Sequence, residues 1–405
     1  MPPLLEHMRA LQQPAPSECA RARFIEWDGF VGSHTGLGSS LQYVVQVMSA
    51  AVLSGRILRL TLTKPPPSSY FLEPCGAANV YECHWAPLTS CPKDAAARRV
   101  VVREQHWIRP DCVLPPIFHS SHQLLVLQSF PIIPPHCVNG SRALAEMRRN
   151  RRPSAAARAL IISGQLRHAT MAWFLRPAEH TRVRLHRMIQ RATASGATLR
   201  TRETIGLPIR GSDKCGMEST CPTFADYMAD CERIRRAHPR VNTIILTSED
   251  PSYLREWQPY ANGSRGSGFR WRFILNHDDV HQGTGALWPL VPHRQGVIAA
   301  QQGVKPGEPV GSRLSTLLGV TRRDIATSMI GSLVLQLQAK FLVLNCFSQW
   351  HRLIADLAQF GCAPSKPIVL CSGAGPLPHF KRSARRGAVE QTFRDAAEPP
   401  APPRL

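Results

Sequence analysis

The densest group of chemically capable side chains follows a short apolar run, in Ile205-Gly-Leu-Pro-Ile-Arg-Gly-Ser-Asp-Lys-Cys-Gly-Met-Glu218. Arginine suits a diphosphate because its planar fork donates to two phosphate oxygens at once, and Lys214 adds a compact positive charge. A carboxylate such as Glu218 can act as general base once its surroundings set its pKa. Arg210, Asp213, Lys214 and Glu218 therefore make either an anion site with a base beside it or a solvated turn with incidental ion pairs.

Two further segments end apolar runs in the same manner. Thr243-Ile-Ile-Leu-Thr-Ser-Glu-Asp-Pro supplies Glu249 and Asp250, which suit a ribose or a positive group and equally suit a helix cap, since Asp-Pro-Ser opens a helix well. Phe341-Leu-Val-Leu-Asn-Cys-Phe-Ser-Gln-Trp-His-Arg352 puts Ser348 and Gln349 at a helix start, where backbone N–H groups make a natural anion site. Near the N-terminus, Gly36-Leu-Gly-Ser-Ser40 precedes a helix. Gly36, Gly38 and Ser39 either let the backbone approach a phosphate or simply make a tight turn, and the Lys-Ser/Thr of a Walker loop is missing. His277 and His281 fit no His-Glu-x-x-His pattern, and no Cys-x-x-Cys pair occurs among the twelve cysteines, so no catalytic metal is expected.

These segments need elements to hold them. Leu41, Val44, Val45, Met48, Val52 and Leu53 recur at helical spacing, Gly55 supplies a stop, and Ile57–Leu60 begins a strand. Helical patterns follow between residues 141 and 195, among them Ala155–Leu166 and His180–Ala194. From Thr204 onward, strand candidates at Ile205–Ile209, Thr243–Thr247, Arg272–Leu275, Phe341–Leu344 and Pro367–Cys371 alternate with helices at Phe224–Ala237, Ser252–Trp257, Ile325–Gln338 and Gln349–Phe360. That alternation predicts an α/β fold whose C-terminal half is a doubly wound parallel sheet, with its ligand beyond the carboxyl ends of the strands. The expected organisation is a poorly ordered N-terminus (1–23), an N-terminal α/β domain (24–200), a C-terminal Rossmann-like domain (201–382) and a Pro-rich disordered tail (383–405).

An apolar fraction of 43% over 405 residues fits a globular protein. The net charge of +21 suits polyanions, while a compositional bias toward arginine, alanine and proline produces the same charge with no selection for binding. Nucleic acid is not the expected partner, because no interleaved aromatics or recognised module accompany the charge. The even spacing of Cys75, Cys83 and Cys91 predicts that some are bridged, hence a secretory lumen, and the Asn139 and Asn262 sequons agree with that compartment. The first 23 residues hold no apolar signal-peptide core, and no uninterrupted apolar run of about 18 residues appears. Membrane association is therefore expected only through an anchor absent from this chain.

Taken in order, the motifs resemble the GDP-fucose-dependent fucosyltransferases of the α-1,6, Nod-factor and protein O-fucosyltransferase group. That family's His-Val-Arg-Arg-Thr-Asp-Lys-x-Gly-x-Glu corresponds to Pro208-Ile-Arg-Gly-Ser-Asp-Lys-Cys-Gly-Met-Glu218, followed by Phe224 and the Tyr227-Met228 pair. Its Ala-Thr-Asp-Asp-Pro-Ser is similar to Leu246–Ser252, its Phe-Leu-Val-Cys-Thr-Phe-Ser-Ser-Gln to Phe341–Gln349, and its glycine-rich first loop to Gly36–Tyr43. The resemblance implies a GT-B-like fold of two Rossmann-like domains and metal-independent inverting transfer of fucose from GDP-fucose to a glycan or glycoprotein hydroxyl. GDP-fucose would be a substrate, with no tightly bound cofactor, and the Golgi or another secretory lumen would be the site of action. It further implies that residues 201–382 bind the donor, that Arg210 holds the β-phosphate, that Glu218 is the acceptor base with Lys214 coupled to it, that Ser348 and the loop around Gly38 add phosphate contacts, and that Tyr81-Glu-Cys-His-Trp85 and the helices around Trp173, within 24–200, shape an acceptor side. Pro208, Gly211 and Ser332 replace the family's histidine, second arginine and nucleotide-associated aspartate. Those departures leave open another sugar nucleotide, or an inactive relative that binds glycans or polyanions.

Overall fold

Apolar runs of four to six residues form two parallel sheets, and the amphipathic segments between them form helices. In a computed structural model of the chain the described residues are 3–27, 37–62, 79–92, 99–102, 120–127, 169–193, 203–209, 222–248, 253–276, 321–345, 348–359 and 368–371. The chain divides into two compact units, Met1–Thr181 and Arg182–Leu405. Both carry a parallel sheet with helices in the connections, which is the α/β class expected. The expected helix Ala155–Leu166 and the tail 383–405 lie outside the described residues.

In the first unit, strands β1 (Phe24–Trp27), β2 (Ile57–Leu60), β3 (Arg99–Val102) and β4 (Leu124–Leu127) pair in parallel in the order β2-β1-β4-β3. The residues ahead of β1 correct the expectation of a poorly ordered start. They form helices α1 (Pro3–Gln12) and α2 (Pro16–Cys19). At the outer edge of the sheet, the buried Gln12 amide donates to Arg56 O and accepts from Leu58 N–H at 3.1 and 3.0 Å. The side chain thus satisfies the edge of β2 as a further strand would. Cys19 is bridged to Cys91, and Cys83 is also disulfide-bonded. Helix α3 (Leu37–Leu53) joins β1 to β2, burying Leu41, Val44, Val45, Met48 and Val52, and Gly55 ends it at φ 62°, a conformation that favours glycine.

Several arginines here hold up the scaffold. The fully buried Arg56 donates to the carbonyls of Phe24, His122 and Ser120, while Arg23 donates to those of Ser54 and Ser120. Burial, with the neighbouring Arg23 adding to it, pulls the Arg56 pKa down to about 10, so the guanidinium stays charged near neutrality. Arg59 pairs with Glu26 and lies over the Phe24 ring.

The aromatic segment expected on an acceptor side is core instead. Tyr81 lies within a 3-10 turn at Val80–Cys83, Trp85 follows it, and both pack on Phe174, with all three rings at most 2% exposed. Trp173 is also buried, beneath the Arg176 guanidinium. These residues support the unit rather than offering a surface to a ligand.

Helix α4 (Glu179–Thr193) spans the division between the units. In the second unit, strands β5 (Thr204–Ile209), β6 (Thr243–Ser248), β7 (Arg272–Leu275), β8 (Phe341–Leu344) and β9 (Ile368–Cys371) pair in parallel in the order β7-β6-β5-β8-β9. All six residues of β5 are buried, as a central strand covered on both faces requires. Helix α5 (Phe224–Ala237) covers one face: Phe224, Tyr227, Met228 and Cys231 recur at helical spacing and cluster with Ile205, Leu207 and Ile209. Burial raises the Cys231 thiol pKa well above its ordinary value, with Asp230 and Glu232 adding to the effect. The β6–β7 connection holds two single-turn helices, α6 (Tyr253–Glu256) and α7 (Gln258–Ala261).

Helix α8 (Arg322–Gln336) packs on β5 and β6 from the other face. Gly206 allows its close approach, because a Cβ there would overlap Gln336 Oε1 and come within 2.6 Å of Leu342 Cδ2. Gln336 cannot swing clear without breaking its bonds to Ile245 O and Thr247 Oγ1, at 3.0 and 2.9 Å. Gly206→Ala is expected to cost about 1–3 kcal/mol through overpacking, read as a lowered denaturant midpoint with an unchanged m-value. Helix α9 (Gln349–Gln359) follows β8.

Candidate functional site

Within the second sheet the chain moves outward through β6 and β7, then returns to place β8 on the opposite side of β5. The reversal between β5 and β8 is a topological switch point, the place where an open α/β sheet leaves a crevice beyond its carboxyl ends. Pairing sharpens the crevice. β5 matches β6 along all six of its residues but matches β8 only at Ile205 and Gly206. Two residues further on stands Pro208, which has no N–H to give to a ladder.

The expected site residues attach to this framework by chain position. Arg210, Asp213, Lys214 and Glu218 lie in 210–221, outside the described residues, and Arg210 directly succeeds the last residue of β5. Glu249 and Asp250 also lie outside them, immediately after the end of β6. Ser348 is described and half-buried just ahead of α9; its N–H donates to Asn345 O and its carbonyl accepts from Arg352 N–H, both at 3.0 Å. Gln349 is the first residue of α9, in the turn whose N–H groups lack helical acceptors. In the first unit Gly36 lies outside the described residues, whereas Gly38 and Ser39 are the second and third residues of α3. Gly38 is buried there, inside the helix rather than in a loop.

Three supporting features were not singled out in the sequence as framing the site. The buried His351 accepts at Nδ1 from the Asn345 N–H at 2.8 Å, tying α9 to the end of β8. Asn276, just beyond β7, donates to Ser332 Oγ at 2.9 Å. Ser332 is thereby committed to joining α8 to β7, at the position where an aspartate was expected by resemblance. Thr223 and Thr321 open α5 and α8 with reciprocal capping boxes to Asp226 and Asp324. Partial burial of Asp324 raises its pKa, but hydrogen bonds from Thr321 and Arg184 outweigh that and hold it below the ordinary carboxylate value.

Among the described residues no group of three His, Cys, Asp or Glu stands together as a metal site would require. No described helix is long and apolar enough to cross a membrane.

The chain is similar in structure to several solved proteins. An Arabidopsis thaliana FUT1 mutant in complex with GDP matches with a TM-score of 0.44 and 10% identity, covering 87% of this chain and 71% of that one. The fucosyltransferase NodZ from Bradyrhizobium matches with a TM-score of 0.36 and 14% identity over 82% of this chain and 92% of NodZ. POFUT1 in complex with GDP-fucose matches with a TM-score of 0.41 and 9% identity over 87% and 98% of the two chains. No protein-family model matches the sequence, and no curated protein matches it.

Proposed function

We propose that the chain is a glycosyltransferase that moves fucose from GDP-fucose to a hydroxyl of a glycan or glycoprotein, with inversion and without a metal. The observation that carries this reading is the switch point. The segment beginning at Arg210 and the Ser348-Gln349 helix start follow the two strands that flank it, β5 and β8, while Glu249 and Asp250 follow the neighbouring β6. An inverting transfer needs positive charge where the diphosphate departs and one base at the acceptor hydroxyl. Arg210 and Lys214 supply the charge, α9 adds N–H donors, and Glu218 takes the acceptor proton. The disulfides support a secretory lumen, the Golgi or a related compartment.

A second reading, a related fold that takes another sugar nucleotide or binds without turnover, is favoured by one contact. Ser332, where a nucleotide-binding carboxylate would stand, is engaged by Asn276. Calorimetric titration with GDP-fucose, GDP, UDP and ADP separates the readings. Guanine nucleotides alone are expected to bind, with about a hundredfold loss on Arg210→Ala, the cost of removing a charge-assisted phosphate contact. Preference for uridine or adenine nucleotides would support the second reading in its other-donor form, and no saturable nucleotide binding would overturn the transferase and leave the relative that binds glycans or polyanions without turnover.

A further inference from the structure

The connection from β6 to β7 carries Asn262-Gly-Ser264 directly after α7. Asn262 caps that helix, its N–H donating to Gln258 O at 3.1 Å, and the residue is exposed. The two ends of its side-chain amide are treated differently. Oδ1 accepts from Ser264 N–H at 3.0 Å, whereas no hydrogen bond holds Nδ2 among the described residues. Ser264 is exposed as well, its hydroxyl donating to Pro259 O at 3.2 Å. Gly263 between them lies at φ 77°, and a Cβ there would come within 2.7 Å of Gly268 O, so the chain turns back tightly and leaves residues 264–268 exposed. The loop belongs to the amino ends of the strands. Trp271, just ahead of β7, donates to Tyr260 O, and Arg272, its first residue, donates to the carbonyl of Asn242, just ahead of β6.

We propose that Asn262 is a site of N-linked glycosylation. Its Nδ2 forms a bond to the anomeric carbon of a lipid-diphosphate-linked oligosaccharide. The bond from that carbon to the diphosphate breaks, the lipid diphosphate leaves with the electron pair, and Nδ2 gives up one proton to solvent. An attached glycan is bulky and solubilising, so the folded chain has to give it a surface position, and the exposed turn at Asn262 does. The opposite end of the sheet, where the crevice opens beyond the carboxyl ends, is left clear. This inference rests on the secretory-lumen reading of the disulfides and not on the identity of the donor. The other sequon, at Asn139, lies outside the described residues.

The test is peptide mapping of the full chain made by cultured eukaryotic cells behind a cleavable leader. Peptide N-glycosidase in heavy-oxygen water converts a glycan-bearing asparagine to labelled aspartate, which reads Asn139 and Asn262 separately. Asn-Gly also deamidates unaided, so an aliquot without the glycosidase sets the background. Label at position 262 is expected only with the glycosidase, lost in Ser264→Ala and kept in Ser264→Thr. The glycan is added as the chain enters the lumen, so intracellular chain serves equally where a variant is not secreted. An unlabelled Asn262 in chain whose Cys19–Cys91 bridge has formed would overturn the site and leave the lumenal reading standing. Free thiols at both cysteines would overturn the lumenal reading, and the site with it. Equal label without the glycosidase, or label kept in Ser264→Ala, would also overturn the site, since deamidation alone would then explain it.

Discussion

Glu218→Gln is expected to bind GDP-fucose as the unsubstituted chain does while turning over about 10²–10⁴-fold more slowly, the usual contribution of a general base. Glutamine keeps the size and hydrogen-bonding reach of the carboxylate but cannot take the proton of the acceptor hydroxyl. The phosphate charges, Arg210 and Lys214, are untouched, so ground-state donor binding is left alone while the transition state loses its proton acceptor. Calorimetry for the donor and a GDP-release assay with a glycan acceptor panel read the two effects separately. Unchanged turnover would assign the base elsewhere. An equal fall in affinity and turnover would make Glu218 part of the donor site.

Cys19→Ser/Cys91→Ser is expected to cost about 4 kcal/mol, since the bridge closes a chain separation of 72 residues. Both cysteines are buried with Phe24, Ile57 and Leu124, so the bond holds α2 against three strands near their N-terminal ends. Guanidinium unfolding of the double variant at equilibrium gives the figure. A loss below about 1 kcal/mol would mean that the unfolded chain is already held compact in this region by other means.

The second sheet was legible because its signals are local. Phe224–Ala237 has matching ends in sequence and structure, with Thr223 and Asp226 closing its start and a regular apolar face beneath it. Arg272–Leu275 and Phe341–Leu344 coincide as well, the first an apolar Phe-Ile-Leu led by an arginine and the second a bare apolar run. The first sheet was harder. β1, β3 and β4 were not singled out, because they lack the regular alternation with helical runs that marks the second sheet, and Glu26 interrupts the apolar pattern of β1 while pairing with Arg59 of β2. The N-terminal helices were read as loop because their attachments, Gln12 to the β2 edge and Cys19 to Cys91, are long-range. Motif spacing found the segments bordering the switch point, whereas the strand order that makes them neighbours emerges only when the sheet is assembled.

The Arg23 and Arg56 clamp changes the meaning of the chain's basic composition. A lysine in place of Arg56 would keep the charge yet lack the forked reach that gathers the Phe24, His122 and Ser120 carbonyls around one side chain. Arg236 and Arg240, exposed to solvent, carry no such obligation. Arginine is thus committed to architecture in one place and free of it in another. Isoelectric point adds the two populations together, and only the second is available to a partner.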